Sequence, residues 1–99
     1  MSVVIVGGHD RMVSEYKKVC KDRRCKVKVF TQMEADFGKK IGSPDLLVLF
    51  TNTVSHKMVK NALRGLDDKK TSVVRSHTSS KNALEGIIET ATKNVHINP

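Results

Sequence analysis

The chain has 99 residues, enough for one domain with one modest core, and its 38% hydrophobic content suits a small globular protein better than a disordered tail. Its formal net charge of +8 leaves an anionic partner open, whereas no apolar run is long enough to cross a bilayer. The start, MSVVIVGG, carries neither a basic leader nor a cleavage site, so a cytoplasmic location is expected.

The apolar run SVVIV over residues 2 to 6 reads as the first strand. Met12, Tyr16, Val19 and Cys20 then recur at helical spacing, which predicts a helix over about residues 11 to 23 with Asp10 as its N-cap. CKVKVF alternates and reads as a second strand. Thr31, Gln32, Met33 and Glu34 follow in a capping-box pattern that predicts a short helix with Met33, Phe37 and Ile41 on one face, ended by Gly42, Ser43 and Pro44. LLVLF is a continuous apolar run of the kind expected for a strand covered on both faces.

Met58, Val59, Ala62, Leu63 and Leu66 predict a third helix, and DDKK a polar turn. SVVR is the fourth strand and SHTSS a loop, after which Ala83, Leu84, Ile87, Ile88 and Ala91 line a fourth helix. VHIN near the end is expected to add a short fifth strand or an arm. Strands alternating with helices give an α/β fold, a small doubly wound parallel sheet that is Rossmann-like or flavodoxin-like, with four or five strands ordered 2-1-3-4 in a single domain over residues 1–99.

Cys20 and Cys25 are too few for a disulfide scaffold and read as small buried hydrophobes. An internal echo joins SHKMVKNALRGL (55 to 66) to SHTSSKNALEGI (76 to 87), which suggests similar local roles for His56 and His77.

His9, His56 and His77 each follow one of the strand runs, so parallel strands would bring all three imidazoles to one edge of the sheet, where open α/β folds bind ligands. His96, in the tail, is most simply solvent-exposed. At the same edge Gly7-Gly8-His9-Asp10 joins a strand to a helix, so backbone is expected to approach a ligand closely while free N–H groups attract negative charge, with Arg11 beside them.

Glycines for a dinucleotide fingerprint and the lysine of a P-loop are missing. A receiver-type phosphorylation site would need Asp after the third strand, where Phe50-Thr51-Asn52 stands instead. A hydrolase built on Ser55 or Ser79, a histidine and Asp10 lacks a nucleophile elbow. Binding therefore fits better than catalysis. Thr51, Asn52, Ser55, Ser76 and Thr78 add polar groups at the edge, while Ser79 and Ser80 read first as helix caps.

VVIVGGHD, LLVLFTNTVSHKMVKNAL and SHTSSKNAL resemble the small bacterial family DUF2325, over nearly the whole chain. The most specific elements are Gly7 and Gly8 after the first strand and Ser55 and His56 opening the helix after the third. The resemblance implies a compact Rossmann-like domain, found alone or attached to others, and supplies no catalytic residues. It also carries an association with haem binding. Haem asks for an axial ligand, here His56 or His9, for an apolar slot, and for cations near its propionates, here Arg11, Arg75, Lys57 and Lys81. A domain this small cannot enclose a porphyrin, so that expectation requires a homo-oligomer. CxxCH is absent.

Two other ligands remain open. A nucleotide or another anionic small molecule would use the Gly7-Gly8 loop. Nucleic acid would use the basic segment Lys17, Lys18, Lys21, Arg23, Arg24, Lys26 and Lys28, at the opposite end of the sheet from the histidines. Helix C-terminal cations and edge-strand lysines also account for part of that segment, and stacking aromatics are scarce, so only weak, salt-sensitive binding is expected there.

Overall fold

Four β-branched or leucine-rich runs become the four strands, and the sheet they form is parallel throughout. β1 (Ser2–Val6), β2 (Lys26–Phe30), β3 (Leu46–Phe50) and β4 (Ser72–Ser76) lie in the order β2-β1-β3-β4, as the alternation of strand and helix predicts. The computed structural model describes residues 1–67 and 69–97. Register is continuous across the sheet: Ile5 pairs with Val29 on one side and with Val48 on the other, and Val48 pairs in turn with Val74.

Period-two alternation of the central strands divides the core in two. Val3, Ile5, Leu46, Val48 and Phe50 face Tyr16, Val19 and Cys20 of α1 (Val13–Asp22) and Leu84 and Ile88 of α4 (Lys81–Ile97). Val4, Val6, Leu47 and Leu49 face Phe37 and Ile41 of α2 (Phe37–Ile41) and Met58 and Ala62 of α3 (His56–Leu63). The sheet is therefore doubly wound, and β3 is buried along its whole length. Each Leu or Phe buried this way contributes roughly 1.5–3 kcal/mol, so β3 is the energetic spine of the domain.

Three local expectations are corrected. The first helix opens with a 3-10 turn at Asp10–Met12, and Asp10 caps nothing, because its carboxylate accepts the Thr31 hydroxyl across the sheet edge. The capping box does not form either: α2 starts only at Phe37, after Asp36 at φ +56°, and Met33 is exposed. Finally, no fifth strand forms in the tail among the described residues. Residues 95 to 97 continue α4, while Asn98 and the side chain of His96 lie outside what is described.

The serine-histidine echo also dissolves in three dimensions. Ser55 Oγ accepts the Met58 N–H at 3.1 Å and caps α3, with His56 its first residue. Ser76 instead ends β4 and turns its hydroxyl onto Thr78 O at 2.7 Å, leaving His77 in a loop. The two histidines therefore have different local settings.

Candidate functional site

The strands end together where β1, β3 and β4 run into their loops, and those loops are tied to one another rather than left open. Gly7, at φ +105°, donates its N–H to Phe30 O at 2.8 Å, and a Cβ there would come within 2.8 Å of the Thr53 hydroxyl and a Val54 methyl. Gly8, at φ +87°, donates to Thr53 Oγ1 at 2.7 Å, and a Cβ there would strike the Tyr16 ring at 2.6 Å. Thr53 Oγ1 passes its own proton to Phe50 O. The two glycines thus serve close packing between loops and helix, and their N–H groups are spent inside the protein. Donors for an anion at this loop would have to come from the helix start that follows and not from the glycines themselves.

Beyond this lock the chain turns outward. His9 is extended and exposed, and its carbonyl accepts the Met12 N–H at 2.8 Å. Asp10 and Arg11 are exposed beside it, and His9, Asp10, Arg11 and Met12 line a shallow cavity of about 490 Å³. After β3, Thr51 donates its backbone N–H to Ser76 O at 2.9 Å. Its side-chain hydroxyl lies 3.3 Å from the same carbonyl and 3.2 Å from His77 Nδ1. A hydroxyl has one proton. If it goes to Ser76 O, Thr51 Oγ1 accepts from Nδ1–H and the His77 lone pair sits on Nε2; if it goes to Nδ1, the lone pair is used in the loop contact. A hydrogen bond of this kind, made by the ring nitrogen that does not ligate, is what orients an imidazole toward a metal.

Asn52, Ser55, His56 and His77 are exposed, and among the described residues neither His9 nor His56 makes a side-chain hydrogen bond. Ser80 is a cap, accepting the Ala83 N–H at 3.1 Å. Ser79 is not a cap but a buried anchor: its carbonyl accepts the Tyr16 hydroxyl at 2.6 Å, which ties α1 to the loop after β4. Burial holds the Tyr16 hydroxyl above its ordinary value, so it stays a donor. Tyr16, Thr31 and Thr53 are the residues that shape this edge without having been legible as part of it. Only the position of Thr53 within TNTVSH hinted at its place.

Because β1, β3 and β4 are neighbours, the three histidines follow three adjacent strands, about 4.8 Å apart each, and Thr51 contacts His77 directly. Among the described residues no three His, Cys, Asp or Glu side chains are grouped to hold a metal ion. Any metal here would take fewer than three of these side chains, with its remaining ligands supplied elsewhere.

A larger cavity lies at the other end. It measures about 750 Å³, and its lining includes Met1, Leu46, Val74, Ala83, Ile87 and Ala91, between the open edge of β4 and α4. Asp45, the acid on its rim, already accepts the Ser2 N–H at 2.7 Å, so the cavity offers packing surface rather than chemistry. Cys20 and Cys25 are buried free thiols, and burial, with Cys25 adding to it, pushes the Cys20 thiol up to about 11. Such a thiol is inert at neutral pH.

A doubly wound parallel sheet with order β2-β1-β3-β4 is the flavodoxin-like architecture. The chain is accordingly similar to the receiver domain of the hybrid histidine kinase CckA, with a TM-score of 0.56 and 13% identity over 92% of this chain and 98% of that one. At that identity the likeness is one of fold alone. The chain belongs to DUF2325, described as an uncharacterized protein conserved in bacteria, which it matches over residues 2–91. No curated protein matches it. None of the described helices is long and apolar enough to cross a membrane.

Proposed function

We propose that this domain is a non-catalytic ligand-binding module that works through the exposed imidazoles of His9, His56 and His77, with haem as its ligand. One observation carries the reading: at an edge whose other polar groups are largely spent on capping and loop locking, His9 and His56 have no structural employment among the described residues and His77 is oriented by Thr51. Haem fits this donor set better than a bare ion does, because the porphyrin supplies four nitrogens and asks the protein for as little as one axial imidazole. Arg11, Lys57, Arg75 and Lys81 are exposed cations for the propionates.

A single copy does not complete the apolar slot, since Met12 is the sole apolar residue lining the cavity at His9. A second copy would close it, and β4 offers an unpaired strand edge for such an association. An anionic small ligand at the Gly7-Gly8 loop, the alternative, would be held by the N–H groups at the start of the following 3-10 turn, since those of the two glycines are occupied.

Purified protein titrated with haem is expected to give an intense, shifted Soret band. His56→Ala, His9→Ala or His77→Ala should alter it, since the axial ligand sets the iron's electronic state. Light scattering of the loaded protein should show more than one 11.0 kDa chain per particle. A free-haem spectrum in the wild type excludes haem, and an unchanged spectrum in all three variants excludes this edge.

A further inference from the structure

The two edges of the sheet are finished differently. On β2 the side chains of Lys26 and Lys28 guard the edge, and Lys28 is tied to the Lys40 carbonyl at 3.0 Å. β4 has no such guard: Val73 and Val74 are only half-buried, Arg75 is its one charged residue, and among the described residues no strand pairs with its outer side. An edge left this bare is a template for another strand.

The backbone decides what it can accept. Ser72 donates its N–H to Asp45 O and Ser76 accepts from the Thr51 N–H, both at 2.9 Å, so residues 72, 74 and 76 turn their peptide groups toward β3. Val73 and Arg75 therefore turn theirs outward. The Val74 side chain lies on the α4 face of the sheet and lines the cavity of about 750 Å³ together with Leu46, Ala83, Ile87 and Ala91. Bare edge and apolar groove are thus one surface.

We infer that β4 pairs antiparallel with β4 of a second copy, about a two-fold axis between the two Val74 residues, so that two four-stranded sheets become one. In this register Val73 lies opposite Arg75 of the partner subunit, and each such pair exchanges both of its N–H···O bonds. The two Val74 side chains meet in the groove beside α4, with their Cα atoms about 4.5 Å apart.

Other arrangements are worse. Centring on Arg75 would set like charges opposite each other. Centring on Val73 would need the Thr71 N–H, which is already on Asp67 O at 3.0 Å. Pairing β4 with β2 of another copy would bring Arg75 toward Lys26 and Lys28 and grow an open filament instead of a closed dimer. The wall made by α4, β4 and α3 is about 25 Å by about 20 Å, so two copies cover roughly 1,000 Å², the size at which a specific interface begins. The pairing gives a geometry to the second copy invoked for the haem slot, but it holds without haem.

Analytical ultracentrifugation of the haem-free full chain should give twice the 11.0 kDa mass. Each copy carries a net +8, so association should tighten between about 50 mM and about 200 mM salt as repulsion is screened. Val74→Lys sets two ammonium groups face to face and should raise the dimer dissociation constant by at least about 100-fold, with circular dichroism confirming the fold. Val74→Cys tests the register with a side chain of similar size. Oxidised by diamide, it should form a disulfide with its twin and run as a reducible double-length band, because Cα atoms about 4.5 Å apart lie within bridging range. Ser72→Cys, on the same face but about 14 Å from its twin, should stay single. The wild type, with Cys20 and Cys25 buried, is the blank. A monomer at every salt concentration, a folded Val74→Lys dimer as tight as wild type, or no preference for bridging at position 74 over position 72 overturns the proposal. The Soret titration is read separately, so either reading can fail alone.

Discussion

The two ends of the sheet are built by opposite means. Where the strands finish, neutral hydrogen bonds lock one loop to the next: Gly8 N–H to Thr53, Thr53 to Phe50 O, Thr51 to Ser76 O, Tyr16 to Ser79 O. The imidazoles stand outside that frame. Where the strands begin, charge does more of the work, with Asp45 holding the Ser2 N–H and Arg23 clasping Glu85 and Glu89, while the unspent groups are lysines and Arg24. Oriented neutral donors on a fixed frame suit a single small ligand. The exposed cations at the other end are held by no such frame.

If the histidine end is a fixed frame, its closest contact is where it breaks hardest. Gly8→Ala puts a Cβ against the Tyr16 ring in a backbone conformation that L side chains rarely adopt. Strain and overpacking together should cost about 3–5 kcal/mol, read as a lowered denaturation midpoint. A loss below about 1 kcal/mol would mean that the loop moves freely and that the frame is not fixed. Gly65, also at positive φ but with open space around its Cβ position, is the matched control and should lose only the strain contribution.

Tyr16→Phe sharpens the same contrast at smaller scale. The ring keeps its packing on Phe50 at 5.4 Å, but the buried Ser79 carbonyl loses its donor, a loss of about 1–2 kcal/mol. There is a pH signature as well. Burial raises Tyr16 above 10.0, so above that pH the unfolded chain gives up its proton first and stability falls as pH rises. Cys20 acts in the same direction between 9.0 and about 11. The variant should keep the Cys20 share of this alkaline loss and shed the Tyr16 share, as measured by denaturant melts at several pH values.

The sheet was legible because burial writes itself into apolar runs: SVVIV and LLVLF had to be central, CKVKVF with its outward lysines had to be an edge, and helices between strands set the order. What escaped was every feature decided by a partner distant in sequence. Asp10 and Thr31 each look like a cap, and each is taken by the other across 21 positions. Gly7 and Gly8 signal backbone freedom, but nothing local says that Thr53 and Tyr16 would fill the space. Ser79 resembles Ser80, yet only Ser80 caps α4 while the carbonyl of Ser79 meets a tyrosine 63 residues away. Repetition misled as well. The Lys-Asn-Ala-Leu of the echo ends α3 in one copy and begins α4 in the other, so shared letters carried no shared geometry.

The smallest expected effect is the most useful for separating structure from function. His9 and His56 are exposed and make no side-chain hydrogen bond among the described residues, so His9→Ala and His56→Ala should each change stability by no more than about 0.5 kcal/mol. His77→Ala frees the Thr51 hydroxyl, which keeps Ser76 O within 3.3 Å and can turn to water, so its cost should also stay below about 1 kcal/mol. Histidines that stabilise a fold cannot be removed so cheaply, and a loss above about 2 kcal/mol at either His9 or His56 would identify a structural role and undo the contrast between frame and ligand-facing group. With stability unchanged, any alteration of the Soret band in the same variants belongs to ligation and not to unfolding.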